Sequence, residues 1–211
     1  LHGLPSSSYV WRNVIDKIDN DKNVIAIDFI GFGKSSFPAD RNASTETQYQ
    51  MLVDFIEAKK IKNVTLWMHD LGSIIGMLYI ARQPENVKAV ALFEAPFLPP
   101  EQFYAQMPFT MKTVIKITRK ESRAERLYVN KNLTGKMFPN FLSKRKLSKK
   151  EKAIYGAPFE DKERRYVMLS GPDPSQMSFD KGKGDTEFEN HIREANTGML
   201  AFEKPILLFY A

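Results

Sequence analysis

Val64-Thr65-Leu66-Trp67-Met68-His69-Asp70-Leu71-Gly72-Ser73 runs from strand formers through a single acid to a glycine, and an apolar helical pattern begins at once. A strand that turns this sharply into a helix lifts the residue at the turn above the sheet, beside the positive end of the helix. That residue is Asp70. Local pattern leaves two roles open to it: a cap for the following helix, or an exposed carboxylate that attacks a substrate.

The neighbours of this stretch set the fold class. Ser73 to Gln83 is nearly all apolar, as a helix packed on a sheet requires, and Pro84 closes it. Val87 to Phe93 is a further strand ending at Glu94. Upstream, Ser44 to Lys60 places Tyr49, Leu52, Val53 and Ile56 on one helical face, with Ser44 or Thr45 as N-cap. Asn23 to Ile27, ending in Asp28, reads as a buried strand, and Trp11, Val14, Ile15 and Ile18 mark a helix over Tyr9 to Ile18. Strands and helices alternating at these lengths predict an α/β fold with a mainly parallel sheet. Sites in such sheets lie at the carboxyl ends of the strands, where Asp28, Asp70 and Glu94 all fall.

After Pro96 the alternation stops. Residues 98–202 carry helix signals without a convincing strand, so they are read as a helical cap inserted into a core of residues 1–97 plus 203–211. Ser148-Lys149-Lys150-Glu151 is a capping box for a helix ending at Tyr155-Gly156, and Asp161 can cap Lys162 to Met168. Gly171 to Gly184 reads as a loop and Thr186 to Leu200 as a helix. Pro205 to Tyr210 returns to the sheet. Gly31-Phe32-Gly33-Lys34-Ser35-Ser36 imitates a phosphate loop, but Asp28 and Ser36 stand where glycines are needed, which leaves a tight glycine turn.

Composition narrows the chemistry. The chain has 211 residues, 43% hydrophobic, and no cysteine, which removes disulfides, thiolate catalysis and Cys-type metal sites. Its apolar runs are too short to cross a bilayer. The net charge of +6 comes from scattered lysines, apart from Lys144-Arg145-Lys146 and Lys149-Lys150-Glu151-Lys152, read as a solvated helix entrance. No nucleic acid, cofactor or metal is expected. The compartment stays open, with the cytoplasm favoured. Leu1 opens the chain inside a loop motif and Tyr210-Ala211 closes it on a strand-like run, so a fragment is expected.

Glu94 stands 24 residues beyond Asp70 at the end of the next strand, either as an ordinary strand-end acid or as a partner in chemistry. The His2-Gly3-Leu4-Pro5 turn can offer the Leu4 backbone N–H, which with that of Leu71 would form an oxyanion hole.

Six blocks then point one way. His2 to Ile15, Ile27 to Ser35, His69-Asp70-Leu71-Gly72-Ser73, Phe93-Glu94-Ala95, Tyr155 to Phe159 with Arg164-Arg165, and Lys204 to Phe209 together resemble the haloalkane dehalogenases, a family of α/β-hydrolases. They match, in order, that family's oxyanion loop, its glycine turn, its nucleophile elbow, the strand end where one subgroup keeps its catalytic acid, its cap, and the following strand. The resemblance implies a small apolar organic substrate and water as partners, and that Asp70 displaces a leaving group from carbon to give an alkyl ester. A histidine oriented by Glu94 then activates water against that ester, with the Leu4 and Leu71 amides holding the oxyanion.

The chain departs from the family at named positions. Leu4 and Leu71 replace the Asn and Trp whose side chains bind halide, and Met68 stands where a small residue is usual. The family's histidine base falls beyond Ala211; His2, in the oxyanion loop, His69, pointing away from Asp70, and His191, solvated in the cap, are not expected to replace it. Two alternatives follow. An epoxide hydrolase uses the same elbow and would need a cap tyrosine, from Tyr104, Tyr128, Tyr155 or Tyr166, to protonate the epoxide oxygen. A non-catalytic protein that keeps the fold is the expectation if the 211 residues are complete.

Overall fold

The structure is a computed structural model that describes residues 1–18, 22–141, 145–171 and 186–210, with only the backbone course over 138–141. After a tight helical turn at Ser8–Trp11 comes a short helix α1, Arg12–Ile15. Helix α2, Thr45–Ala58, starts where Ser44 predicts, because the Ser44 side chain accepts from the Thr47 N–H. Strand β1, Val64–His69, leads through the turn at Asp70 into α3, Gly72–Arg82, and strand β2 follows as Val87–Phe93. Residues 98–202 are helical where described: α4 (Pro100–Gln106), α5 (Phe109–Thr118), α6 (Glu121–Ala124) running into a π-helical turn (Glu125–Asn130), α7 (Leu133–Phe141), α8 (Lys149–Gly156), α9 (Val167–Ser170) and α10 (Glu187–Leu200). Strand β3, Ile206–Phe209, closes the series. The loop expected over Gly171 to Gly184 lies outside the described residues, Gly171 apart.

The three described strands are parallel in the order β1-β2-β3. Alternation along them separates two faces. Leu66 and Met68 share one face with their partners Val90 and Leu92, all buried against α3. α3 is apolar nearly all round because it is enclosed, with α2 and α10 packed beside it. Close approach explains one small residue of α3 and one of its neighbour α10. A side chain at Gly198 of α10 would sit 2.3 Å from Ala81, and one at Gly76 would sit 2.0 Å from the Met68 sulfur. The bulky Met68 is thus housed in the groove that Gly76 leaves open. The other face carries Trp67, His69, Phe93 and Phe209, the last two rings stacked at 4.5 Å, with Trp11 edge-on to Phe93.

The structure corrects one expected strand. Asn23 to Ile27 joins no ladder, and Val24 and Ile25 are 42% and 54% exposed. Strand formers make a strand only when a neighbour offers N–H and C=O groups, and no described strand lies against this segment. Asp28, at its end, organises the glycine turn instead. Its carboxylate accepts from the N–H groups of Ser8 (2.6 Å) and Lys34 (2.8 Å), and Gly33 must lack a side chain because a Cβ would lie 2.2 Å from that carboxylate. Those contacts hold the Asp28 carboxyl below its usual range, against the opposing effect of burial.

α10 lies within the residues expected as cap, yet Phe188, Ile192, Ala195 and Met199 join the same apolar cluster as α3. Arg82 of α3 adds a fork to Glu194 of α10, at 2.7 and 2.9 Å.

Candidate active site

Asp70 follows β1 with φ of +51°, and Glu94 follows β2 with φ of +48°. Non-glycine residues in this left-handed region are uncommon and persist where surrounding structure holds them. Here the holding bonds are clear. Asp70 N–H donates to Phe93 O at 3.1 Å and Glu94 N–H to Phe209 O at 3.0 Å, so each strand end is pinned to the next strand. The Asp70 carbonyl accepts from the Ser73 N–H at 2.9 Å and also from the Ser73 hydroxyl. Gly72 is obligatory, since a Cβ there would lie 1.8 Å from the His2 carbonyl oxygen. The His2-Gly3-Leu4-Pro5 loop therefore lies directly on the elbow.

The Asp70 side chain opens to a cavity on one side and is surrounded by protein on the others. Burial pushes its carboxyl above the usual range, while the Leu71 N–H, the field of His69 and the Leu4 N–H pull it down. Asp70 and Glu94 share that cavity, about 490 Å³, with Ala95, Pro96, Phe97, Leu98, Phe103, Gln106, Met107, Pro108 and Tyr210. The walls mix apolar side chains with nearly as much polar surface and come from the strand ends and from the start of the helical segment. A carboxylate with the Leu71 and Leu4 N–H groups beside it, at a partly apolar cavity, can attack an uncharged electrophilic carbon.

Leu4 and Leu71 bring only backbone N–H groups to Asp70; their side chains border a small apolar void with Phe29, Gln48, Gly72 and Ile75. None of the three histidines lines the cavity. His2 is fully buried with both ring nitrogens on backbone groups, at Gly3 O (2.9 Å) and Phe29 N (3.0 Å). His69 lies on the opposite sheet face from Met68, edge-on to Trp11. His191 corrects the expectation of a solvated side chain: it is buried on α10, with Nε2 3.1 Å from Glu46.

The four tyrosines that an epoxide hydrolase reading would draw on make contacts elsewhere. Tyr155 accepts from Arg12 at 3.4 Å, Tyr166 donates to Glu125 at 3.0 Å, the Tyr104 ring lies beneath Lys112, and Tyr128 is buried. None of the four lines the cavity, whereas Tyr210 does, with its hydroxyl on Ala95 O at 3.1 Å. Its place just past the carboxyl end of β3 is a signal readable in the sequence, since sites in parallel sheets lie at such ends.

Over residues 1–211 the chain matches the family described as alpha/beta hydrolase fold. A haloalkane dehalogenase of Mesorhizobium japonicum is 32% identical over 175 residues, which is 82% of this chain and 55% of that protein. Among solved structures, the haloalkane dehalogenase DatA of Agrobacterium tumefaciens C58 superposes with a TM-score of 0.85 at 26% identity, over 98% of this chain and 69% of its own. DbeA of Bradyrhizobium elkani USDA94 gives 0.86 at 26% identity, over 99% and 70%. The chain spans about half the length of curated relatives such as those of Mesorhizobium japonicum and Mycolicibacterium paratuberculosis. The sheet, the elbow and these likenesses agree: the chain belongs to the α/β-hydrolase fold family and is haloalkane dehalogenase-like.

Proposed function

We propose that this chain carries the nucleophile half of a hydrolase of the haloalkane dehalogenase type, with Asp70 as nucleophile. The observation that carries the reading is the left-handed Asp70 at the end of β1, its carboxyl beside the Leu71 and Leu4 N–H groups in a cavity shared with Glu94. One Asp70 oxygen attacks the substrate carbon; the carbon–leaving-group bond breaks and the leaving group departs with the bonding pair. The resulting ester is cleaved by water, whose proton goes to a histidine base that Glu94 orients. The attacked carbonyl becomes an oxyanion held by the Leu4 and Leu71 amides. That base is not assigned to His2, His69 or His191, whose placements serve other contacts. Residues 98–202 would act as the cap, their first helix walling the cavity and α10 fastening them to α3.

A second reading has one observation in its favour. Tyr210 lines the same cavity as Asp70, and its hydroxyl could turn from the Ala95 carbonyl to protonate an epoxide oxygen, whereas Leu4 and Leu71 offer halide no side-chain donor. Incubation with a 1-haloalkane and, separately, with an alkyl epoxide, followed by intact-mass and peptide mass spectrometry, tests both. An alkyl adduct on Asp70 that Asp70→Asn abolishes is the expected result. An adduct from the epoxide alone, lost in Tyr210→Phe, would favour the second reading. No adduct from either reagent overturns the nucleophile.

A further inference from the structure

The donor geometry around Gly3 bears on how the oxyanion hole is aimed. Three donors converge on the Gly3 carbonyl oxygen: the Ser6 N–H at 3.0 Å, the Ser6 hydroxyl at 2.6 Å, and His2 Nδ1 at 2.9 Å. The His2 tautomer is set by its other nitrogen. Nε2 faces the Phe29 N–H and must accept, so in the neutral ring the proton resides on Nδ1 and is donated to Gly3. Two lone pairs usually serve a carbonyl, so three donors on one oxygen is a dense arrangement for a surface-length turn.

The Gly3–Leu4 peptide is trans, so its C=O and N–H point in opposite directions within one plane. Fixing the carbonyl toward Ser6 and His2 therefore aims the Leu4 N–H the other way, at the Asp70 carboxyl. The peptide has no room to swing: a Cβ on Gly3 would lie 2.6 Å from Asp70 Cβ and 2.9 Å from Oδ2. Ser6 and His2 are themselves buried, and the His2 ring is held between Phe29 and Phe32 at centroid distances of 4.8 and 5.9 Å.

We propose that Ser6, acting with the His2 ring through the Gly3 carbonyl, is a positioning residue that orients the Leu4 N–H onto Asp70. Neither side chain touches the cavity; both act on the donor through one rigid peptide plane. The catalytic consequence rests on Asp70 being the nucleophile, but the effect on the Asp70 carboxyl does not.

The experiment titrates Asp70 in ¹³C-labelled protein by NMR, with Asp70→Asn to assign the resonance, in the wild type and in Ser6→Ala, Ser6→Thr and Ser6→Cys. Adduct formation with a 1-haloalkane is timed in the same samples, and circular dichroism confirms the fold. Loss of the hydroxyl loosens a donor to the ionised carboxyl, so Ser6→Ala should raise the Asp70 midpoint by about half a unit and slow adduct formation roughly tenfold. Ser6→Thr keeps the hydroxyl and should restore both. Ser6→Cys, similar in volume with a weaker donor, should fall between and serves if the alanine variant misfolds. An Asp70 midpoint that is the same in all folded variants overturns the proposal, whatever the adduct shows. A midpoint that moves as expected while no protein forms an adduct upholds the positioning and sinks the nucleophile instead.

Discussion

The seat of the elbow and the attachment of the helical segment are held by different physics. Beneath Asp70, β1 meets α3 through Leu66, Met68, Ile74, Ile75 and Leu78, all buried and uncharged. Residues 98–202 add arginine contacts to the apolar packing of α10 on α3. Arg12 pairs with Glu151, Arg41 with Glu163 at 2.6 Å, Arg82 with Glu194, and Arg164 donates to the Gly33 and Ser35 carbonyls. Apolar burial is non-directional and insensitive to salt, and close packing then fixes position to a fraction of an ångström. Guanidinium forks are directional but lose most of their strength where water reaches them. Asp70 is therefore seated on packing that salt does not screen, whereas the contacts of residues 98–202 include a share that salt weakens.

The most severe break of this contrast is on the packed side. Gly72→Ala places a methyl against the His2 carbonyl, so the His2-Gly3-Leu4-Pro5 loop or α3 must move. A loss on the order of 4 kcal/mol is expected from overpacking of this severity, read as a lower urea midpoint, with adduct formation at Asp70 lost as well. An unchanged midpoint would show that the loop does not lie on the elbow.

A pH titration sharpens the contrast next. Burial holds the His2 ring at about 4, below its ordinary 6.5, so the folded state keeps it neutral where the unfolded chain already binds a proton. The sign follows: this contribution is complete above pH 6.5 and is lost as pH falls from 6.5 toward 4. The total is on the order of 3 kcal/mol, and it should be independent of salt because the ring is enclosed. Urea unfolding at pH 7, 6, 5 and 4 measures it, and His2→Gln should flatten the slope over that window.

The smallest effect is expected at the arginine contacts. Arg82 forks to Glu194, bonds both Glu46 oxygens at 2.8 and 2.9 Å, and lies 4.4 Å over the Tyr49 ring. These partners hold the guanidinium firmly charged. Its side chain is nonetheless 27% exposed, so Arg82→Met should cost only about 1 kcal/mol, shrinking further in 1 M salt. A salt-independent loss several times larger would erase the distinction between the two regions.

Much of the fold was legible because its signals are local. Ser44, Ser148 and Thr186 cap the helices expected of them, since a side-chain oxygen three residues from an unpaired N–H needs no distant partner. The order β1, α3, β2 follows from where apolar runs stop at Asp70, Pro84 and Glu94. Asn23 to Ile27 misled for the converse reason: its composition is strand-like, but a ladder is a property of two segments. His191 misled likewise, because whether a helix face is buried depends on what packs there, and Glu46 comes from 145 residues away.

By itself the sequence determined that one acid sits where a strand becomes a helix, that a second acid ends the next strand, and that Leu4 and Leu71 can donate only through backbone. Those are statements about residue identity and short spacing. Only the tertiary structure decided that both acids adopt left-handed backbone, that they open into one cavity with Tyr210, and that His2 and Ser6 grip the peptide aimed at Asp70. Each of these depends on segments brought together from across the chain. The physical reason is one of range: capping and periodicity act over a few residues, whereas hydrogen-bond direction and burial are fixed only when distant backbone arrives.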